Sequence, residues 1–428
     1  MPAERFGRRI YFRIPNLALD HPLSELDGLY IENPLAKSLL RTAPLRRLKG
    51  VGQLGLLVNN SGTESWQRGG FYHTRYEHTG VVTDIGERVL RQNGLDEHGV
   101  NTGIAGFILH DLGTVGFGDS TKPLDSINLD EEAHWREASN RRITTLLKRN
   151  NISLEEVDAV IRNEGVLGKV LDIADRTAYV TRDLSAWMND EPRRIEHFGR
   201  LIPTPDEIEA MSEEDLNMAY LYIRYISRMG DIYNDVVIDK DAEEVYFKDV
   251  NQLRFLLAYR AALHRGLYMH PLNMGREAAF VEILRPFYTA DEQQAHEEDQ
   301  LLSPSKLRKM TDRDVEDHIR KYGTDDQKAV YMYLRFMHWV PSFEKFETVE
   351  QAKQREQDII GSGARIIGVR EVLGFNPSTD LKVLDKQGNV VSFRDADPYG
   401  TSLIDAEVEK VRGAYLFYTS DEFKMTAL

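Results

Sequence analysis

Two imidazoles and two carboxylates stand in this sequence where one metal ion could take them all. The stretch "HTRYEH" (73–78) ends on His78, and "GFILHDLGTVGFGD" (106–119) places His110 and Asp111 side by side after an apolar run. A third stretch, "LDIADRTAYVTRDL" (171–184), contains Asp175. The chain has no cysteine, which excludes thiolate ligands, cysteine nucleophiles and disulfides, and leaves His, Asp and Glu to hold any metal. An octahedral divalent ion accepts such ligands and keeps positions open for water and phosphate oxygens. That is a hydrolytic chemistry, in which the ion acidifies water and shields phosphate charge. Neighbouring helix residues point about 100° apart, so His110 and Asp111 reach one ion only at a helix end or distortion, which Gly113 can supply.

The elements that must position these residues are mostly helical. The spacing of Val81, Ile85, Val89 and Leu90 predicts a helix over 78–94, stopped by Gly94. The run 102–113 has no polar face and reads as a buried helix. Residues 128–150 carry acid at the start and base at the end, as a helix dipole prefers, and are read as one helix. Ser153 and Glu156 have the spacing of a capping box. Further helices are expected over 168–188, 213–236 and 249–270. Strand signals are sparse until 380–393, which alternates about Gln387-Gly388 as a hairpin would, and 413–419. The expected fold is mostly α: a helical core over 1–345, then a small mixed α/β region over 346–428. "GSGARIIG" (361–368) has close glycines but no strand–turn–helix setting for a nucleotide loop.

The 428 residues are 41% hydrophobic and 29% charged, enough apolar material for a large core. The net charge of -15 argues against nucleic acid as a broad surface partner but allows a local basic pocket. No apolar run is long enough to span a membrane, and the basic N-terminus lacks the features of a secretory signal. The expectation is a soluble protein of the cytoplasm or nucleus.

The order H…HD…D, with "TRYEHT", "LHDLG" and "DIADRTAY", resembles the HD-domain metal phosphohydrolases. Within them it is most similar to the deoxynucleoside triphosphate triphosphohydrolases, the group of the vertebrate SAM-and-HD-domain enzyme and bacterial dGTPases. The resemblance runs from about residue 20 to about 345. It includes "PLRRLKGVGQLG" (44–55), "YRAALHRGLYMH" (259–270) and "LRKMTDRDVEDHIRK" (307–321).

The resemblance implies one divalent ion (Mn, Fe, Mg or Ni) held by His78, His110, Asp111 and Asp175. It implies phosphate contacts from Arg75 and Arg260, with His264 nearby and Arg176 where the family usually has a lysine. Tyr179 would pack under sugar and base, Asp183 and Gln53 would meet the 3′-hydroxyl, and Leu54 would crowd a 2′-hydroxyl. Tyr268 would lie against the nucleoside, with Met269 beside it. The implied activity is hydrolysis of deoxynucleoside triphosphates to deoxynucleoside and triphosphate. Homo-oligomers and regulatory nucleotide sites are also implied, although Arg41, Arg46 and Lys49 do not reproduce the family's guanine-reading pattern. The residue types fit independently. Arginine forks suit phosphate. Asp175, Arg176, Tyr179 and Asp183 share a helix face, and Arg260, His264 and Tyr268 form a stripe too polar for a core.

One departure stands out. Where the family reads "HDxGHGPFSH", this chain reads "HDLGTVGFGD", with Thr114 and Asp119 in place of histidines. Where an "HExxS" helix is expected it reads "AHWREAS" (133–139), so Trp135 stands in the histidine's place and His134 falls one residue early. Threonine cannot do general-acid work near neutral pH, whereas histidine can. Asp111, His134 and Asp119 are therefore the expected catalytic residues, with His134 or Asp119 taking over proton transfer. The alternatives are an HD phosphohydrolase that cleaves a different phosphate bond or substrate, and a catalytically weak deoxynucleotide-binding sensor or regulatory protein. His73 could line the pocket or support it from behind. Glu131, Glu132 and Glu137 are read as a solvated charge run, and His318 and His338 as structural or surface residues.

Overall fold

A computed structural model describes residues 31–57, 73–189, 229–336, 341–362 and 366–419. The fold is mostly α with a small α/β part. Helix α1 (Arg75–Gln92) starts with a capping box in which the Thr74 hydroxyl accepts from the Glu77 amide and the Glu77 carboxylate accepts from the Thr74 amide. This start is earlier than the expected one and puts Arg75 and His78 on the first turn. Helix α2 (Glu97–Leu109) is capped by the Asp96 side chain. Its residues Val100, Ile104, Phe107 and Ile108 are all buried, as an apolar run without a polar face requires. Helix α3 (Leu154–Ile161) has the expected Ser153–Glu156 capping box. The long helix α4 (Gly165–Asn189) carries the Asp175 stripe. Together α1 to α4 surround one apolar core.

Residues 128–150 do not form one helix. The Asp130 carboxylate accepts from the Ala133 amide, a short helix covers Trp135–Ala138, and the Asn140 side chain caps a new helix at Arg141–Arg149. Local side-chain caps interrupt what charge patterning alone makes continuous. The expected helix over 213–236 also gives way at its end. Its residues up to 228 lie outside the described ones, and a hairpin follows, β1 (Val236–Asp239) with β2 (Glu244–Phe247).

Helix α5 (Val250–Leu263) continues into one wider π turn over His264–Tyr268. Helix α6 (Pro271–Leu284) and helix α7 (Asp312–Tyr322) follow. The C-terminal part contains β3 (Ser342–Phe346), β4 (Ile366–Val372), β5 (Lys382–Leu384), β6 (Val390–Ser392), helix α8 (Pro398–Val411) and β7 (Gly413–Tyr418). The β5–β6 hairpin turns through Gly388 as expected. One sheet runs β1-β2-β5-β6 and the other β3-β7-β4. Strand β5 pairs in parallel with β2, and Phe375, Phe393, Val408 and Phe417 join the same apolar core as α1 to α5. No helix among the described residues is long and apolar enough to cross a membrane.

Candidate metal centre

The centre lies where three helices converge. Helix α2 ends at Leu109 and the backbone passes into tight turns, with the Leu112 amide donating to Leu109 and the Thr114 amide to Asp111. That helix end lets His110 and Asp111 serve one place. A side chain at Gly113 would put its Cβ 2.4 Å from the Glu131 carbonyl oxygen, so the close approach of that strand of chain requires glycine.

One ligand atom from each of His78, His110 and Asp175 lies within 4.8 Å of the others. His78 Nε2 sits 2.8 Å from Asp175 Oδ1, and His110 Nε2 3.8 Å from the same oxygen. Asp111 Oδ2 is 3.8 Å from His78 Nε2 and 3.7 Å from His110 Nε2. Three of the four expected ligands thus form one cluster, and Asp111, whose carboxylate accepts from Arg75, lies beside both imidazoles. The His110 Nδ1 faces the Phe107 carbonyl oxygen at 2.8 Å, which orients the ring. Its Nε2 is buried without a hydrogen-bond partner among the described residues. A buried, orphaned imidazole nitrogen facing two carboxylates is a fitting donor set for a divalent ion.

The electrostatics are those of a site built around positive charge. Burial alone would depress the His110 imidazole, but the Asp111 and Asp175 carboxylates outweigh it and push the group up to about 9. Burial alone would raise Asp175, yet the neighbouring His110 and His78 imidazoles, His78 at hydrogen-bond distance, hold it far below the usual carboxylate range. Asp111 is likewise lowered, because Arg75, His110 and His78 outweigh its burial. The Arg75 guanidinium, also buried, is held firmly charged by Asp119 and Asp111. Its Nη1 donates to Asp111 Oδ1 at 3.2 Å and its Nη2 to Asp119 Oδ2 at 2.5 Å. Asp119 thus belongs to the centre through Arg75.

His134 takes a different direction. Its ring nitrogens face Glu137 Oε1 at 2.9 Å and the Ile127 carbonyl oxygen at 3.2 Å, so the imidazole is engaged outside the four-ligand cluster. Trp135 is a core residue whose indole donates to Asp158 at 2.6 Å. Thr114 is buried and its hydroxyl has no hydrogen-bond partner among the described residues.

Glu131 and Glu132, expected to be solvated, border the centre instead. Lys122 reaches Glu131 at 3.0 Å. The Glu131 carboxyl is raised by burial first and then by Asp119, against the pull of Lys122 and Arg75. Glu132 is exposed as a residue, yet its carboxyl is pushed up to about 7 by lost hydration, countered by His110 and reinforced by Glu131, Asp175 and Asp111. The signal available in the sequence was the acid pair after Asp130, a residue able to cap a turn. Glu137 is exposed and pairs with His134 and with the buried Arg308.

Tyr179, Asp183, Arg260, His264 and Tyr268 meet in a second group that α4 links to the first. The Tyr179 hydroxyl accepts from Arg260 Nε at 2.5 Å. The Tyr268 hydroxyl donates to Asp183 Oδ2 at 2.5 Å, and His73 Nε2 is 2.7 Å from Asp183 Oδ1. His264 stands edge-on to Tyr268 with centroids 5.0 Å apart. Burial, with Arg260 and Arg176 nearby, keeps its imidazole well below its usual range and so neutral. Arg176 pairs with Asp172 at 2.6 Å. The Gln53 amide donates to the His73 carbonyl, while the side-chain oxygen of Gln53 is buried without a partner among the described residues. Leu54 packs partly buried on the core. Asp312 on α7 ties the two loops together, accepting from the Gly52 amide at 2.9 Å and the Phe117 amide at 2.6 Å. His318 is structural, facing the Gln300 carbonyl at 3.0 Å, and His338 lies outside the described residues.

No protein-family model matches this sequence, and no curated protein matches it. Solved structures do match. A phosphohydrolase from Bacteroides thetaiotaomicron aligns with a TM-score of 0.62 at 14% identity, covering 92% of this chain and 100% of its own. A hypothetical protein from Aquifex aeolicus aligns with a TM-score of 0.60 at 18% identity, covering 93% of this chain and 95% of its own. The chain shares its fold with these two proteins over nearly its whole length. Within that fold, His78, His110 and Asp175 form a cluster that could hold a divalent metal ion.

Proposed function

We propose that this chain is a metal-dependent phosphohydrolase that cleaves deoxynucleoside triphosphates to deoxynucleoside and triphosphate. The observation that carries the reading is the meeting of His78, His110, Asp111 and Asp175, with Arg75 joined to the same Asp111. The structural likeness to a protein named as a phosphohydrolase supports it. When bound, a divalent ion supplies Lewis acidity for a phosphate oxygen and a more acidic water. The chain's own residues do the rest. Arg75, held between Asp111 and Asp119, is aimed by two carboxylates at the place where phosphate charge must be met. Asp119, Glu131 and Glu132 surround that place with groups able to take or give a proton. Tyr179, Arg260 and Tyr268 cradle the nucleotide beyond it, and assembly of several copies is part of the same reading.

Thr114 and the outward engagement of His134 favour a second reading, in which the same centre cuts a different phosphate bond. Product analysis separates the two. Purified protein is incubated with Mn2+, Mg2+ or chelator and each nucleotide, beside Asp111→Ala, and products are resolved by ion-pair chromatography. Deoxynucleoside with intact triphosphate, lost in the variant, is the expected result. Monophosphate or diphosphate products support the second reading, and nucleotide binding without turnover overturns both.

A further inference from the structure

The sequence motifs that resemble the deoxynucleoside triphosphate triphosphohydrolases end near residue 345, but the cluster around Arg260 and His264 does not. A turn between β4 and β5 enters it. The Asn376 carbonyl oxygen accepts from Arg260 Nη1. The Phe375 ring stacks on His264, with centroids 4.5 Å apart and planes 9° apart, and the Arg260 guanidinium carbon lies 6.0 Å from the same ring. Both nitrogens of His264 are buried without a hydrogen-bond partner among the described residues, so the stacked pair includes polar atoms that none of those residues satisfies.

This turn is anchored at both ends. Gly374 has a φ of +102°, and a Cβ there would lie 2.7 Å from Val408 Cγ1 on α8. Arg412 Nε donates to the Leu373 carbonyl at 3.0 Å, and the Ser378 amide donates to Asn376 Oδ1 at 2.8 Å. The Asn376 carbonyl is therefore a fixed acceptor. Arg260 Nε is fixed from the other side by Tyr179. With Nε and Nη1 engaged, Nη2 is the nitrogen that neither partner takes.

We propose that Phe375 and the Asn376 carbonyl are positioning groups of the substrate site, which hold Arg260 so that Nη2 meets the phosphate chain and which wall the pocket over His264. The inference rests on the phosphohydrolase reading for its ligand class, a polyphosphate. Its physical content is preorganisation: a guanidinium already held in place loses less freedom on gripping phosphate.

The test is a double-mutant cycle on Arg260→Ala and Phe375→Ala, read by calorimetric titration of inorganic triphosphate into Mn2+-loaded protein at fixed free Mn2+. Each single variant is expected to weaken triphosphate binding about tenfold, the loss of roughly one charge-assisted hydrogen bond. Because Phe375 acts through Arg260, the double variant is expected to bind no worse than Arg260→Ala alone. Mn2+ affinity should not change. Phe375→Leu keeps the apolar volume without the flat ring, so it carries the test if Phe375→Ala does not fold, with binding expected between the two. Additive losses, wild-type binding by folded Phe375→Leu and Phe375→Ala, or no triphosphate binding by the wild-type protein would each overturn the inference. Coupled losses in a protein that hydrolyses no deoxynucleoside triphosphate would leave it standing and overturn the proposed function instead.

Discussion

His78 Nε2 lies 2.8 Å from Asp175 Oδ1, across 97 positions of sequence. That contact joins the first turn of α1 to the middle of α4 at the point where a metal ion would bind.

Removing the carboxylate should separate binding from folding. Asp175→Ala leaves two buried imidazoles without their shared oxygen. We expect metal affinity to fall by more than about 100-fold, with activity lost in parallel. Metal content after dialysis, measured beside thermal melting, checks this.

The metal-free centre should respond to alkali. The His110 group is raised from 6.5 to about 9 in the folded protein. Its contribution to stability is therefore fully present below 6.5 and is lost as pH rises through about 9, an effect of about 3 kcal/mol at most. Melting in chelator should show a decline over this window that is absent in His110→Asn. Since a ligating imidazole must be deprotonated, Mn2+ affinity should rise across the same window.

Thr114 offers the cleanest test of a hydroxyl's role. Its oxygen is buried and unpartnered among the described residues, so Thr114→Val keeps the shape and removes a desolvated polar group. Stability should hold or rise by up to about 1 kcal/mol, and turnover should be unchanged. A fall in turnover greater than about tenfold, read by steady-state kinetics, would give the hydroxyl a chemical part.

Asp119 and His134 should diverge. Asp119 bonds directly to Arg75, whereas both nitrogens of His134 are taken by Glu137 and a backbone carbonyl. Asp119→Asn is expected to lower kcat/KM by about 10- to 100-fold, and His134→Ala by less than about threefold. Equal effects would count against this assignment.

Asp312 holds two backbone amides at once, one of them from Phe117, whose φ is 61°. Asp312→Ala strands both amides and loosens a left-handed residue, and should cost about 2–4 kcal/mol in urea unfolding.

How far the sequence discloses this molecule depends on the range of each interaction. His78, His110 and Asp175 could be singled out only through the order H…HD…D and its resemblance to a known family, since residue spacing alone does not separate a ligand from a core histidine. Helix starts such as Ser153–Glu156 were legible because a cap is a three-residue affair. The break between Ala138 and Arg141 is not, since the charge pattern along 128–150 suits one helix and only the Asn140 cap marks a new start. Glu131 and Glu132 looked solvated because their place depends on the Gly113 backbone, which no local pattern reveals. The β1–β2 hairpin was hidden by apolar residues that also suit a helix. Phe375 and Asn376 were beyond reach for a similar reason, since their partners Arg260 and His264 lie more than a hundred residues away.

The parallel pairing of β2 with β5, together with the turn that precedes β5, sets an order of assembly. On the ribosome, the residues that gather the metal emerge long before Phe375 and Asn376. The contact between Arg260 and the Asn376 carbonyl can therefore form only after a further 116 residues have been made.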